Sequence, residues 1–179
     1  VKHVVLTGFM AVGKTAVGRR LAKRLGYEFL DTDHLIEQQS GMTVAQMFER
    51  LGEAEFRARE RRTISELSPV RPSVIATGGG TFVDEENRLK LKSLGVVVCL
   101  VTSLETILDR VERNDARPLA RGDARRRLTE LYESRKPAYG KADVLVETDG
   151  LTVDQAVSRV SAMIAPYLKN SASEASGRD

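Results

Sequence analysis

Val5-Leu6-Thr7-Gly8-Phe9-Met10-Ala11-Val12-Gly13-Lys14-Thr15 frames everything that follows it in this 179-residue chain. The apolar run from His3 to Leu6 reads as a buried strand, and the residues from Gly13 onward read as a helix. Between them Gly8, Gly13, Lys14 and Thr15 keep the spacing Gly-x-x-x-x-Gly-Lys-Thr, the phosphate loop, in its strand-to-helix context. Each position has a physical reason. Glycines let backbone N–H groups converge on phosphate oxygens with no Cβ in the way, and the helix start turns its positive end toward the same oxygens. Lys14 is placed to reach the β- and γ-phosphates, and the Thr15 hydroxyl to ligate Mg²⁺. Gly8, Ala11, Val12, Gly13, Lys14, Thr15 and Ala16 form the expected nucleotide cradle. The alternative, an ordinary strand–turn–helix with a glycine turn, explains neither the lysine nor the threonine.

Outward from the loop, strands and helices alternate. A helix to Leu25 closes at Gly26, and Tyr27 to Leu30 forms a second strand that ends in Asp31-Thr32-Asp33. A helix holding Leu35 and Ile36 runs to Gly41. Thr43 then caps Val44 to Leu51, and Gly52 interrupts before a charged helix from Glu53 to Leu67. Ser73 to Thr77 is a third strand leading into Gly78-Gly79-Gly80, followed by a helix over Asp84 to Leu94. Val96 to Val101 reads as an interior parallel strand, and a helix capped by Thr102 or Ser103 spans Leu104 to Val111. The charged segment Glu112 to Gly122 reads as a loop over a site. Helix Asp123 to Tyr132, strand Val144 to Val146 and amphipathic helix Val153 to Leu168 complete a domain over 1–168, with 169–179 a disordered polar tail. The pattern is α/β, a parallel sheet covered on both faces, whose ligands bind beyond the carboxyl ends of the strands. The phosphate loop, Asp31–Asp33 and Gly78–Gly80 all fall there.

Composition narrows the function classes. At 41% hydrophobic and 30% charged the chain supports one good core. A net charge of +3 suits anionic small molecules and is thin support for nucleic acid, and without Trp a base-stacking platform is poorly supplied. Cys99 is the single cysteine, so no intrachain disulfide forms; in its apolar run it reads as a buried core thiol. No apolar stretch has the length of a membrane span, and the N-terminal run is too short for a signal peptide. The expectation is a cytoplasmic protein with no membrane or nucleic-acid partner.

Asp31 and Asp33 lie two apart at a strand end, so an extended backbone points both carboxylates one way. Beside a phosphate loop, one can hold the Mg²⁺ shell and the other accept a proton from, or orient, an attacking hydroxyl. The competing role is helix capping. Phosphoryl transfer also needs planar cationic forks, and Arg57, Arg117 and Arg135 stand out by context, although spacing alone does not choose among 28 basic residues.

The ordered set Gly8-Phe9-Met10 with Gly13-Lys14-Thr15, Asp31-Thr32-Asp33, Phe56-Arg57, Gly78-Gly79-Gly80, Arg117-Pro118-Leu119 and Arg135-x-Pro-x-Tyr139 resembles the shikimate kinases over Val4 to Val146. The resemblance implies a single P-loop kinase domain, a five-stranded parallel sheet with a lid loop. It implies transfer of the ATP γ-phosphate to the shikimate 3-hydroxyl with Mg²⁺; a monomer is expected. By motif, Asp33 holds the shikimate hydroxyls and serves as base or orienter, and Arg57 and Arg135 clamp the carboxylate. Gly79 and Gly80 offer backbone N–H groups, and Asp31 and Thr15 serve Mg²⁺. Asp33, Lys14 and Arg117 are the implied catalytic set, with Arg117 a lid arginine over the phosphates and Arg110 near the adenine. Met10, Phe48, Phe56, Pro118 and Leu119 wall the ring. The chain departs from the family pattern at Ala11, where a further glycine is usual, and at Ala120, where Leu is common. It also has no arginine near Asp149-Gly150. Rival readings are a gluconate or nucleotide kinase of the same architecture, a nucleotide-binding module without catalysis, and a nucleic-acid-binding domain.

Overall fold

The computed structural model describes residues 3–114 and 122–175. Five parallel strands, β1 (His3–Thr7), β2 (Glu28–Asp31), β3 (Ser73–Ala76), β4 (Gly95–Val101) and β5 (Val144–Glu147), form one sheet in the order β2-β3-β1-β4-β5. Every residue of β1 and β3 is buried, as a strand covered on both faces requires. β1 is central, with Val5 opposite Ile75 on one side and Val97 on the other. Its C-terminal end therefore opens where the chain departs to opposite halves of the sheet, the place where such sheets bind ligands.

Helices α1 (Lys14–Leu25), α2 (Thr32–Ser40), α3 (Val44–Glu66), α4 (Glu85–Leu94), α5 (Leu104–Asn114), α6 (Gly122–Tyr139) and α7 (Val153–Ala175) surround it. α1 packs on α7 and on β1–β3, and α4 packs on β1, β4 and α3. Phe9, Leu6, Leu21, Ile75, Leu100, Ile107 and Ile164 are among the fully buried side chains that fill the core between these layers. α3 holds the expected break. Gly52 takes φ +82 and ψ 167 inside it, so the capped segment and the charged segment meet at an angle. Thr43 and Gln46 form a reciprocal capping box at its start.

Most boundaries fall within a residue or two of the sequence reading, and three differ by more. α6 runs on through Arg135 to Tyr139 although Pro137 lies inside it. Buried Tyr132 and Tyr139 give the helix a core-facing stripe, and Gly140 N–H bonds the Lys136 carbonyl to close the last turn. α5 continues to Asn114, beyond the expected end at Val111. α7 extends to Ala175, into the segment expected as a disordered tail. The lid-loop expectation, with Arg117, Pro118, Leu119 and Ala120, lies outside the described residues. Among the described residues no helix is long and apolar enough to cross a membrane.

Candidate active site

The phosphate loop leaves β1 at Thr7 and enters α1 at Lys14. Gly8 takes φ +134, and a Cβ there would meet the Leu100 carbonyl oxygen at 2.4 Å, so the loop can press against β4 only with glycine. Lys14 turns back across the loop and donates its ammonium to the Gly8 and Phe9 carbonyls at 2.9 and 2.7 Å. Burial lowers its pKa to about 8, against the opposing pull of Asp33, and it stays mostly charged at neutral pH. Ala11 has φ +60, and among the described residues it is the only non-glycine with positive φ. The residue where the family usually has glycine thus keeps glycine-like backbone, at a cost of about 1 kcal/mol for its Cβ. Arg110, from α5, donates to the Ala11 carbonyl at 2.9 Å.

Asp31 caps α2 and reaches the phosphate loop at the same time. Its Oδ1 accepts the Asp33 N–H at 3.1 Å and caps α2, while its Oδ2 accepts the Thr15 hydroxyl at 2.9 Å. Capping and cradle chemistry therefore use different oxygens of one carboxylate. Two hard oxygen donors meet at the lip of the loop, a pair suited to an Mg²⁺ that keeps most of its shell in water and phosphate.

Two cavities of about 450 Å³ each open beside the loop. One is lined by Met10, Ala11, Gly13, Lys14, Thr15, Ala16, Asp31, Asp33, Thr77 and Gly79. The other is lined by Asp33, Arg57, Arg135, Glu60, Glu53, the Gly78–Gly80 segment and the apolar Met10, Val44, Phe48, Phe56 and Leu131. Met10, Asp33 and Gly79 belong to both. Asp33 Oδ1 is buried with no hydrogen-bond partner. Burial, with repulsion from Asp31 and Glu60, raises its pKa to about 6. An unsatisfied, weakly basic oxygen at the junction of two cavities is a group waiting for a donor.

The glycines following β3 are explained by what lies against them. A Cβ on Gly78 would sit 2.6 Å from Asp33 Oδ1, and one on Gly80 would sit 2.7 Å from the Arg57 guanidinium nitrogens. Arg57 is oriented by Glu60, whose side chain is 1% exposed, through a 2.9 Å ion pair, and more loosely by Glu53. Glu60 in turn accepts the Thr81 hydroxyl at 2.6 Å. The Arg57 guanidinium stacks over Phe56 and Phe48 at 5.2 and 5.9 Å. Arg135 lies over the Phe9 ring at 5.6 Å, and Tyr139 one turn on donates its hydroxyl to the Gly79 carbonyl. Burial pushes the Tyr139 phenol up to about 12, so it stays a donor. Glu60 and Tyr139 carry this arrangement; Tyr139 ends the Arg135-x-Pro-x-Tyr139 motif, whereas Glu60 does not stand out as a site residue in the sequence. The spacing of Arg57 to Glu60, one turn apart on a helix, allows their pairing, but other pairs in α3 share it and it does not single out Glu60.

Of the expected site residues, Gly8, Ala11, Val12, Gly13, Lys14, Thr15, Ala16 and Asp31 gather at the loop; Asp33, Arg57, Gly79, Gly80 and Arg135 gather in the second cavity. Arg110 lines a third, smaller cavity with Ala11, Val12, Gly13, Thr148, Leu151 and Thr152. Arg117 lies outside the described residues. Cys99 is buried as expected, and burial raises its thiol to about 12, which leaves it unreactive.

A phosphate loop opening into a cavity with two arginines and a carboxylate defines a P-loop phosphotransferase for a small anionic acceptor. Comparison with known proteins narrows this. The shikimate kinase family model matches residues 10–165. The shikimate kinase of Ruegeria pomeroyi is 48% identical over 92% of this chain and 85% of its own length. The Acinetobacter baumannii shikimate kinase, solved in complex with shikimate, is 38% identical with a TM-score of 0.83, covering 94% of this chain and 96% of that one. The chain belongs to the shikimate kinase family, and it is an ATP-using enzyme of that kind. A gluconokinase from Sinorhizobium meliloti, 17% identical with a TM-score of 0.57 over 97% of both chains, shares the fold alone.

Proposed function

We propose that this chain transfers the γ-phosphoryl group of ATP to the 3-hydroxyl of shikimate, giving ADP and shikimate 3-phosphate. The observation that carries this is Asp33, common to the phosphate-loop cavity and the arginine-lined cavity. With a pKa near 6 it is a stronger base than an ordinary aspartate and still largely ionised at pH 7. Its carboxylate orients the acceptor hydroxyl and takes its proton as the oxygen–phosphorus bond forms and the bond to the β-phosphate oxygen breaks. Lys14 and the loop amides offset the charge on the transferred group. Thr15 and Asp31 would hold Mg²⁺, which would supply positive charge to offset that of the phosphates. Arg117 is assigned the lid position over the phosphates, and Gly79 and Gly80 N–H donors toward the acceptor. Arg110 is assigned a contact to adenine. The reading takes the enzyme as a monomer, and ATP as donor supports a cytoplasmic setting.

Arg57 and Arg135 hold the acceptor carboxylate in this reading, and they separate experimentally. Arg135→Ala raises KM for shikimate by roughly 10- to 100-fold, the scale of a charge-assisted hydrogen bond, and leaves KM for ATP in place. Arg57→Ala raises the same KM but also leaves Glu60 buried without its counter-charge, at about 3 kcal/mol of stability. Steady-state kinetics beside thermal denaturation check the pair: a KM for shikimate unmoved in both variants would remove the clamp. The reading as a whole is tested by coupled ADP-release assays with shikimate, gluconate, AMP or no acceptor. Turnover with shikimate alone is expected; equal turnover with gluconate would overturn the assignment.

A further inference from the structure

Arg110 holds the one strained alanine of the phosphate loop. Its guanidinium, half-buried on α5, donates to the Ala11 carbonyl at 2.9 Å, and Ala11 sits at φ +60. Alanine adopts that region reluctantly, whereas glycine enters it about as readily as its mirror image. A loop with alanine here relaxes toward negative φ unless something fixes the peptide. The Ala11 carbonyl and the Val12 N–H belong to one rigid plane, so fixing the oxygen also fixes the direction of that N–H, an amide of the cradle.

The fixing element is itself anchored. At the start of α5, Ser103 Oγ accepts the Thr106 N–H at 3.2 Å as a helix cap. Asp149 accepts the Thr102 hydroxyl and, at 2.8 Å, the Ser103 N–H. Asp149 borders the segment whose Thr148, Leu151 and Thr152 line the same cavity as Arg110. The guanidinium is therefore delivered from a helix whose far end is tied by hydrogen bonds to Asp149.

We propose that Arg110 is a positioning residue for the phosphate loop: it keeps Ala11 in the left-handed conformation, so that the cradle is formed before a triphosphate arrives. This goes beyond a contact to the adenine, and it rests on the reading of residues 8–15 as the triphosphate cradle. Because the support acts on the loop, it serves any triphosphate, with or without a base.

The test uses the full chain and three variants, Arg110→Ala, Ala11→Gly and the two combined, with dissociation constants measured for ATP and for inorganic triphosphate in the presence of Mg²⁺. Arg110→Ala is expected to weaken both ligands by roughly tenfold, while KM for shikimate stays put. Adding Ala11→Gly to Arg110→Ala is expected to restore part of the lost affinity for both. The charge removed with Arg110 is the same in either background, so the recovery isolates the loop conformation. If Arg110→Ala weakens ATP but leaves inorganic triphosphate unchanged, Arg110 serves the base alone and the proposal falls. If Ala11→Gly restores nothing, the effect does not pass through Ala11 and the proposal falls as well. Wild-type protein that binds neither ligand overturns the cradle reading itself, and this inference with it.

Discussion

Asp33→Asn lowers kcat by roughly 10²- to 10⁴-fold, the range for losing a positioned general base, while ATP still binds. Asparagine keeps the shape at the junction of the two cavities and removes only the basic oxygen that the protein leaves unsatisfied. The wild-type profile of kcat/KM against pH falls on its acid side near pH 6, where Asp33 takes up a proton, and that limb is absent in the variant. The same substitution acts on stability with the opposite sign. The folded value near 6 lies above the ordinary 3.8, so native protein binds this proton more readily than unfolded chain. Stability is therefore lost as pH rises from about 4 through 6, and above 6 an ionised Asp33 is held against burial and its neighbours' charge. Asp33→Asn accordingly stabilises the fold at pH 7 by something on the order of 1 to 3 kcal/mol, and hardly at all at pH 4. A variant less active and more stable is the mark of a residue kept for chemistry. Unchanged turnover, or a lower thermal midpoint at pH 7, would remove Asp33 from the centre of the mechanism.

Lys14→Met carries the second large effect, a loss of roughly 10²- to 10³-fold in kcat, comparable to removing one preorganised donor from a transition state. Methionine retains the stem and deletes the charge, which the loop holds by the Gly8 and Phe9 carbonyls. The alkaline side of kcat/KM for ATP reports this group in the free enzyme. Because burial sets the Lys14 value near 8, activity falls as pH rises through 8 and the ammonium is lost. Lys14 and Asp33 feel each other's charge, so the two limbs near 6 and 8 belong to the coupled pair. A pH profile flat from 7 to 10 in wild-type enzyme contradicts the role given to Lys14.

What the sequence made legible follows from how local each signal is. The phosphate loop, the Thr43 cap and the Gly52 break are written in consecutive residues, and each appears where its chemistry puts it. The capping bond of Asp31 and its bond to Thr15 could not be separated by spacing, because one carboxylate makes both with different oxygens. Arg135 was visible as a motif but not as part of a helix, since the sequence reading ends that helix at Tyr132 while packing of Tyr132 and Tyr139 carries α6 through Pro137. Glu60 was hidden among the many charges of α3. Only the tertiary fold shows that this one is buried beneath Arg57 and Thr81. The meaning of Ala11 also needed three dimensions, because its support comes from a residue ninety-nine positions away.

The central claim is that the loop's phosphoryl group goes to one particular hydroxyl of one acceptor. Wild-type enzyme incubated with ATP, Mg²⁺ and shikimate, followed by a proton–phosphorus correlation spectrum of the product, tests it most directly. A single new phosphomonoester coupled to the ring proton at carbon 3 is the expected result. Phosphorus coupled to the proton at carbon 4 or 5, or inorganic phosphate as the sole new species, would contradict it.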